Sequence, residues 1–169
     1  MTTTDEILQL CKELNINLSH ASLPPTMDGF YHSDGCVSII VIDEKLVNDP
    51  VLYRSTLAEE LGHYFTTVGN RAPVKFMTYA ERNDYDRCEL RAIRWASNFL
   101  IKTDYLLEAF RNGSMKHYGD IQDHFKVTEA IAKEKLKSMV AEKLHWHIDD
   151  HNMLILTNLP NVWVYKSVD

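Results

Sequence analysis

The stretch TLAEELGHYF, residues 56–65, decides how the rest of the chain is read. Leu52, Thr56, Glu59 and His63 recur at three- and four-residue spacing, which places them on one stripe of a helix over residues 50–67. Glu59 and His63 stand one turn apart, so their side chains reach toward a common point outside the helix. Glu60 is rotated from Glu59 by about 100°. Asn48 or Asp49 suits the cap, Pro50 suits the first turn, and VGNRAP at 68–73 ends the element.

Upstream, Thr3 and Glu6 fit a capping box. Ile7, Leu8, Leu10, Cys11 and Leu14 then repeat at helical spacing over residues 3–15. LPPTMDG at 23–29 breaks the chain. FYHSDGCVSIIVID reads as two strands around an Asp34-Gly35 turn, and the unbroken apolar run Ile39–Ile42 suits an interior strand. The same run, just ahead of the 50–67 helix, is a candidate sheet edge for pairing with an extended peptide.

Downstream, residues 81–101 form a helix with Cys88, Ala92, Trp95, Ala96 and Phe99 on or near one face, and 104–111 a shorter one closed by Asn112-Gly113. Residues 119–140 have the rhythm of a helix-turn-helix. A short helix ends near Phe125, a turn falls at Lys126-Val127, and Thr128 caps a longer helix, with Ile121, Phe125, Val127, Ile131 and Leu136 inward. The tail reads as short strands with turns at Asp149-Asp150 and 158–161. The fold class is therefore α+β. Residues 1–112 form one domain, and 113–169 a helical segment with a β-hairpin tail, packed on the first.

Glu-Glu-x-x-His on the 56–65 helix fits a solvated helical face, since glutamate is common in helices, and it also has the spacing of a metal grip. H-E-x-x-H on a helix binds zinc through its two histidines and uses the intervening glutamate as general base. Here Glu59 stands where the first histidine would be, His63 is the second ligand, and Glu60 occupies the base position. A catalytic site needs a third protein ligand and one open position. Glu89, 26 positions after His63, lies on the apolar stripe of Ala92, Ile93, Ala96 and Leu100. A carboxylate there is costly to bury unless compensated. A metal would compensate it, as would Arg91 or Arg94, or exposure at the stripe's edge.

TLAEELGHYFT followed by CELRAIRWASNFLI resembles the ImmA/IrrE-type metallopeptidases of phages and mobile elements. Their pattern is a helix LAHELGH, then a helix with glutamate followed by alanines, matched here by Glu89, Ala92, Trp95, Ala96, Phe99 and Leu100. The strands before the metal helix and the helix pair after it also match, so the resemblance spans roughly residues 25–140. It implies a compact zincin-like peptidase domain holding zinc through Glu59, His63 and Glu89, with Glu60 as general base. It also implies a helix-turn-helix repressor as the protein partner that is cleaved or inactivated in prophage or mobile-element regulation. The departure is Glu59. One imidazole and two carboxylates leave a divalent ion formally neutral, so water bound to it is less acidic. Oxygen-rich coordination also suits harder ions such as Mn²⁺. The expectation is slower hydrolysis than a histidine version, or a metal other than zinc. The competing expectation is a catalytically inactive antirepressor or antitoxin-like protein that sequesters its partner uncut.

Bulk properties narrow the rest. The chain has 169 residues, 45% hydrophobic and 25% charged, with a formal net charge of −6. That charge disfavours nonspecific attraction to nucleic acid or anionic membrane. Three widely spaced cysteines, Cys11, Cys36 and Cys88, argue against a disulfide framework and a cysteine zinc cage. No apolar run is long enough for a membrane helix, and the N-terminus lacks the pattern of a signal peptide, so a cytoplasmic location is expected. Lys133, Lys135, Lys137 and Lys143 are nearly balanced by Glu129, Glu134 and Glu142, so direct nucleic-acid binding is not expected of the helix pair. His145, His147 and His151 read as exposed tail residues, Trp146 and Trp163 as fillers of a small tail core, and Tyr64 as core packing. His117 and His124 could serve as ligands or donors, and spacing selects neither.

Overall fold

A computed structural model describes residues 2–67 and 79–166. The expected VGNRAP stop and residues 74–78 lie outside them. The chain divides into two compact units within its third helix: Thr2–Ala96, and a second unit from Ser97 on. Residue 112, the boundary read from sequence, falls inside the second unit.

The first unit begins with α1, Thr4–Glu13. Its capping box is complete: the Thr3 hydroxyl accepts from the Glu6 amide at 3.2 Å, and the Glu6 carboxylate accepts from the Thr3 amide at 2.5 Å. Asn15 takes a positive φ of 54°, which asparagine tolerates better than most residues, and β1 (Ile16–Ala21) follows. β1 runs parallel to β3 (Ser38–Asp43), which also pairs antiparallel with β2 (Gly29–Ser33), giving the order β1-β3-β2. The β2–β3 hairpin closes at Ser33↔Ser38, and Gly35 adopts φ +90° in its loop.

β3 is thus the central strand, not an edge. Its amides and carbonyls are engaged on both sides, so the proposed role of SIIVID as a docking edge for a peptide is overturned, and the interior reading holds. Ile40 and Ile42 are fully buried and Val41 nearly so. Asp43 ends the strand and is also buried. Its carboxylate accepts from the amides of Leu23 and Lys45 (2.9 and 2.8 Å), and the Lys45 bond holds its acidity above the usual carboxylate range.

A short 3-10 turn, Glu44–Asn48, leads into α2, Pro50–Thr66. Asp49 caps α2 by accepting from Val51 and Leu52. Residues 54–58 and 60–63 are all buried, so α2 is the core of the unit and has little amphipathic character. α3, Tyr79–Leu100, packs closely on α2. A Cβ built on Gly62 would lie 2.4 Å from the Ala92 carbonyl oxygen, so only glycine allows the two backbones this approach.

The second unit holds α4 (Thr103–Arg111), α5 (Gly119–Phe125), α6 (Glu129–Glu142) and an antiparallel sheet β4-β5-β6. The strands are His145–His147, Asn152–Asn158 and Asn161–Lys166. The helix pair turns where expected: Lys126 is left-handed at φ 52° and Val127 is buried. Ile121, Phe125, Ile131 and Leu136 are buried with it.

One sequence assignment changes in this unit, that of Trp163. Lys135, counted in the charge balance of the helix pair, is buried. It is 2% exposed, and its Nζ donates to Asn98 Oδ1 and Thr103 Oγ1, both at 2.8 Å. Trp146 is buried as expected, but Trp163 is 59% exposed and fills no core.

Candidate metal centre

The close approach of Gly62 to Ala92 sets the register of α2 on α3. His63 follows Gly62, and Glu89 lies one turn before Ala92, so the two side chains meet. His63 Nε2 is 3.5 Å from Glu89 Oε2. His63 is buried, while the Glu89 side chain is 34% exposed, so the pair has a core side and an open side.

Glu59 stands one turn before His63. Burial pushes its carboxyl above the usual carboxylate range. The His63 imidazole opposes that shift, while the nearby charges of Glu89 and Asp28 add to it. Glu60, the general-base candidate, is buried on another side of α2, against β2. A Cβ at Gly29 would lie 2.9 Å from Thr56 Cγ2 and 3.2 Å from Glu60 Cγ. Gly29 therefore lets the start of β2 run directly over Glu60.

Asp28 and Gly29 were missed in the sequence, where the segment served only as a chain break. Their signal was an Asp-Gly pair just ahead of a strand. Tyr64 makes an edge contact with Tyr31 at 5.9 Å, consistent with packing. On the next residue, Phe65 stacks on Trp95 at 4.7 Å, a second clamp between α2 and α3.

The donor set suits a divalent cation. Carboxylate oxygens and an imidazole nitrogen are the donor types that bind zinc and harder divalent ions. Donors on one tetrahedral zinc sit about 3.4 Å apart, given bond lengths near 2.1 Å; the His63–Glu89 separation is close to that. Among the described residues, no three His, Cys, Asp or Glu side chains form a group of metal-binding dimensions. The structure thus brings together two of the three sequence-assigned ligands, with Glu59 coupled to them through its charge. His117 and His124 belong to the other unit.

A first unit in which a buried helix carries Glu-Glu-x-x-His, met by a glutamate from the next helix, has the framework of a metallopeptidase. The chain belongs to the peptidase M78 family, the IrrE N-terminal-like domain, whose pattern matches residues 11–137. No curated protein and no solved structure matches it. Among the described residues, no helix is long and apolar enough to cross a membrane.

Proposed function

We propose that this chain is a metal-dependent endopeptidase that cuts a protein partner, a helix-turn-helix repressor, with Glu59, His63 and Glu89 holding the ion and Glu60 moving the proton. The observation that carries the proposal is the meeting of His63 and Glu89 at 3.5 Å on two helices locked by a glycine contact. Family membership supports the reaction class and a divalent metal, usually zinc. The choice of partner rests on the family resemblance.

A divalent cation at this site supplies Lewis acidity toward a peptide carbonyl and toward water. The chain's own groups do the rest. The Glu60 carboxylate takes the proton from the attacking water and delivers it to the departing amine. Gly29 leaves the β2 backbone close to Glu60, and among the described residues β2 pairs only with β3. The other edge of β2 can therefore accept an extended substrate segment through main-chain hydrogen bonds. Glu59 in place of an imidazole lowers the positive charge of the centre, so this enzyme is slow relative to a two-histidine version or prefers Mn²⁺ to zinc.

The test combines metal analysis with cleavage. Protein purified without chelator should carry about one equivalent of Zn²⁺ or Mn²⁺, and Glu89→Gln should carry less. Glu60→Gln should retain metal and partner but leave the partner intact, and Glu59→His should cut faster. A native protein free of metal, with no gain in the Glu59→His variant, refutes the catalytic role. Co-purification with an uncut partner would then assign sequestration instead.

A further inference from the structure

The second unit contains a cavity of about 710 Å³ between the α4–α5 loop and the β5–β6 hairpin. Its lining carries Arg111, Lys116, His117 and Lys166, together with the aromatic residues Tyr118 and Trp163. Among the described residues that line it, none is acidic. That is a local reversal of sign in a chain of net charge −6.

Among the described residues, Lys116 and Lys166 enter no ion pair, whereas Arg111 shares its charge with Glu108. The neighbouring carboxylate Asp120 accepts from the amides of Lys116 and His117 at 2.7 and 2.9 Å and attracts the Lys116 charge as well, which leaves Lys166 the least engaged cation of the lining. Those bonds hold the loop that presents the lysine and the histidine. Trp163 presents an indole that is 59% exposed. A large aromatic surface left in water at the rim of a cavity is a platform for a flat ring.

The volume lies in the range of small-molecule sites, roughly 300–1,000 Å³. Cations that can hold phosphate oxygens stand within one cavity with rings that can stack on a base. We infer that this cavity binds a nucleotide, its base against Trp163 and its phosphates among Lys116, Lys166 and Arg111. The β5–β6 side of the cavity lies beyond the segment matched by the peptidase family, which ends at residue 137. The inference does not depend on the proposed peptidase activity.

Direct binding tests it on the full chain at low salt. Titration with ATP should quench the fluorescence of Trp163 and give saturable heat in calorimetry. Tripolyphosphate alone and adenosine alone should each bind at least tenfold more weakly than ATP, because each lacks one half of the contact set. Lys116→Glu combined with Lys166→Glu should weaken ATP at least tenfold. Trp163→Ala should weaken it and remove the quench, while Trp163→Phe should keep most of the affinity. Far-ultraviolet circular dichroism identifies any variant that fails to fold, and the unaltered protein with the three ligands still decides the question. Absence of ATP binding up to millimolar concentration overturns the inference. So does tripolyphosphate binding as tightly as ATP, or hexaglutamate binding more tightly, which would make the cavity a site for phosphate or for an acidic peptide.

Discussion

Each unit buries a cluster of polar side chains, and the two clusters are built differently. In the first, His63 meets Glu89 at 3.5 Å, burial raises the Glu59 carboxyl one turn away with the charge of Glu89 adding to it, and Glu60 is buried on another side of α2. In the second, the amine of Lys135 is the central charge. Asn98 and Thr103 accept from it, and Asn98 in turn donates to Ser138 at 3.1 Å. The lysine network closes through neutral partners and ties α6 to the start of α4 and the end of α3. The His63–Glu89 pair stands beside an open side, the Glu89 side chain being 34% exposed. A carboxyl raised by burial beside an imidazole and a second carboxylate is the pattern of a functional site. The lysine network needs no explanation beyond architecture.

The sharpest way to break this contrast is to change one atom type in each cluster. Glu60→Gln should lower cleavage by about 10²- to 10⁴-fold, the range for loss of a general base, with little change in thermal stability. Steady-state cleavage beside a melting curve checks both halves. A variant that loses stability and keeps cleavage would make the first cluster structural.

Next in size is the contact that sets the register. Gly62→Ala should destabilise the fold by about 2–3 kcal/mol, since its methyl would meet the Ala92 carbonyl and the helices must separate. Urea unfolding measures this, and any metal binding should fall with it.

The lysine network predicts a pH effect of known sign. Burial pulls the Lys135 amine from its ordinary value of 10.5 down to about 8. The neighbouring charges of Glu142 and Asp104 oppose that shift, and Lys102 adds to it. The unfolded chain therefore holds the proton more tightly across this window. Stability contributed by Lys135 should rise as pH increases from about 8 to about 10.5 and be flat below, by on the order of 3 kcal/mol. Lys135→Met should remove that slope, and denaturant unfolding of both proteins across the pH series measures the difference. An unchanged slope would mean the amine is not buried.

The smallest effect falls outside both clusters. Thr3→Ala removes the α1 cap and should cost about 1 kcal/mol by urea unfolding, leaving cleavage untouched.

Periodicity and capping were enough to find the six α-helices of the described residues, though not the 3-10 turn at Glu44–Asn48. Thr3 and Glu6 announce α1, Asp49 and Pro50 start α2, and the Lys126 turn separates α5 from α6. The apolar run of β3 and the hairpin to β2 were equally plain. β1 escaped because a six-residue strand with one buried residue has almost no pattern, and its pairing with β3 joins residues about twenty positions apart. Trp163 was misjudged because residue type predicts average exposure, and a particular exposure depends on what packs against the side chain.

What the sequence by itself determined is local: which segments are helical, and that Glu59, Glu60 and His63 share one helix with Glu89 on the next. These follow from spacing along the chain, because helical geometry repeats over a few residues. Tertiary structure alone decided that Gly62 brings α2 onto Ala92 so that His63 meets Glu89, that Gly29 carries β2 over Glu60, and that Arg111, Lys116 and Lys166 line one cavity with Tyr118 and Trp163. Each of these depends on contacts between segments far apart in the chain, where distance is set by packing and not by spacing.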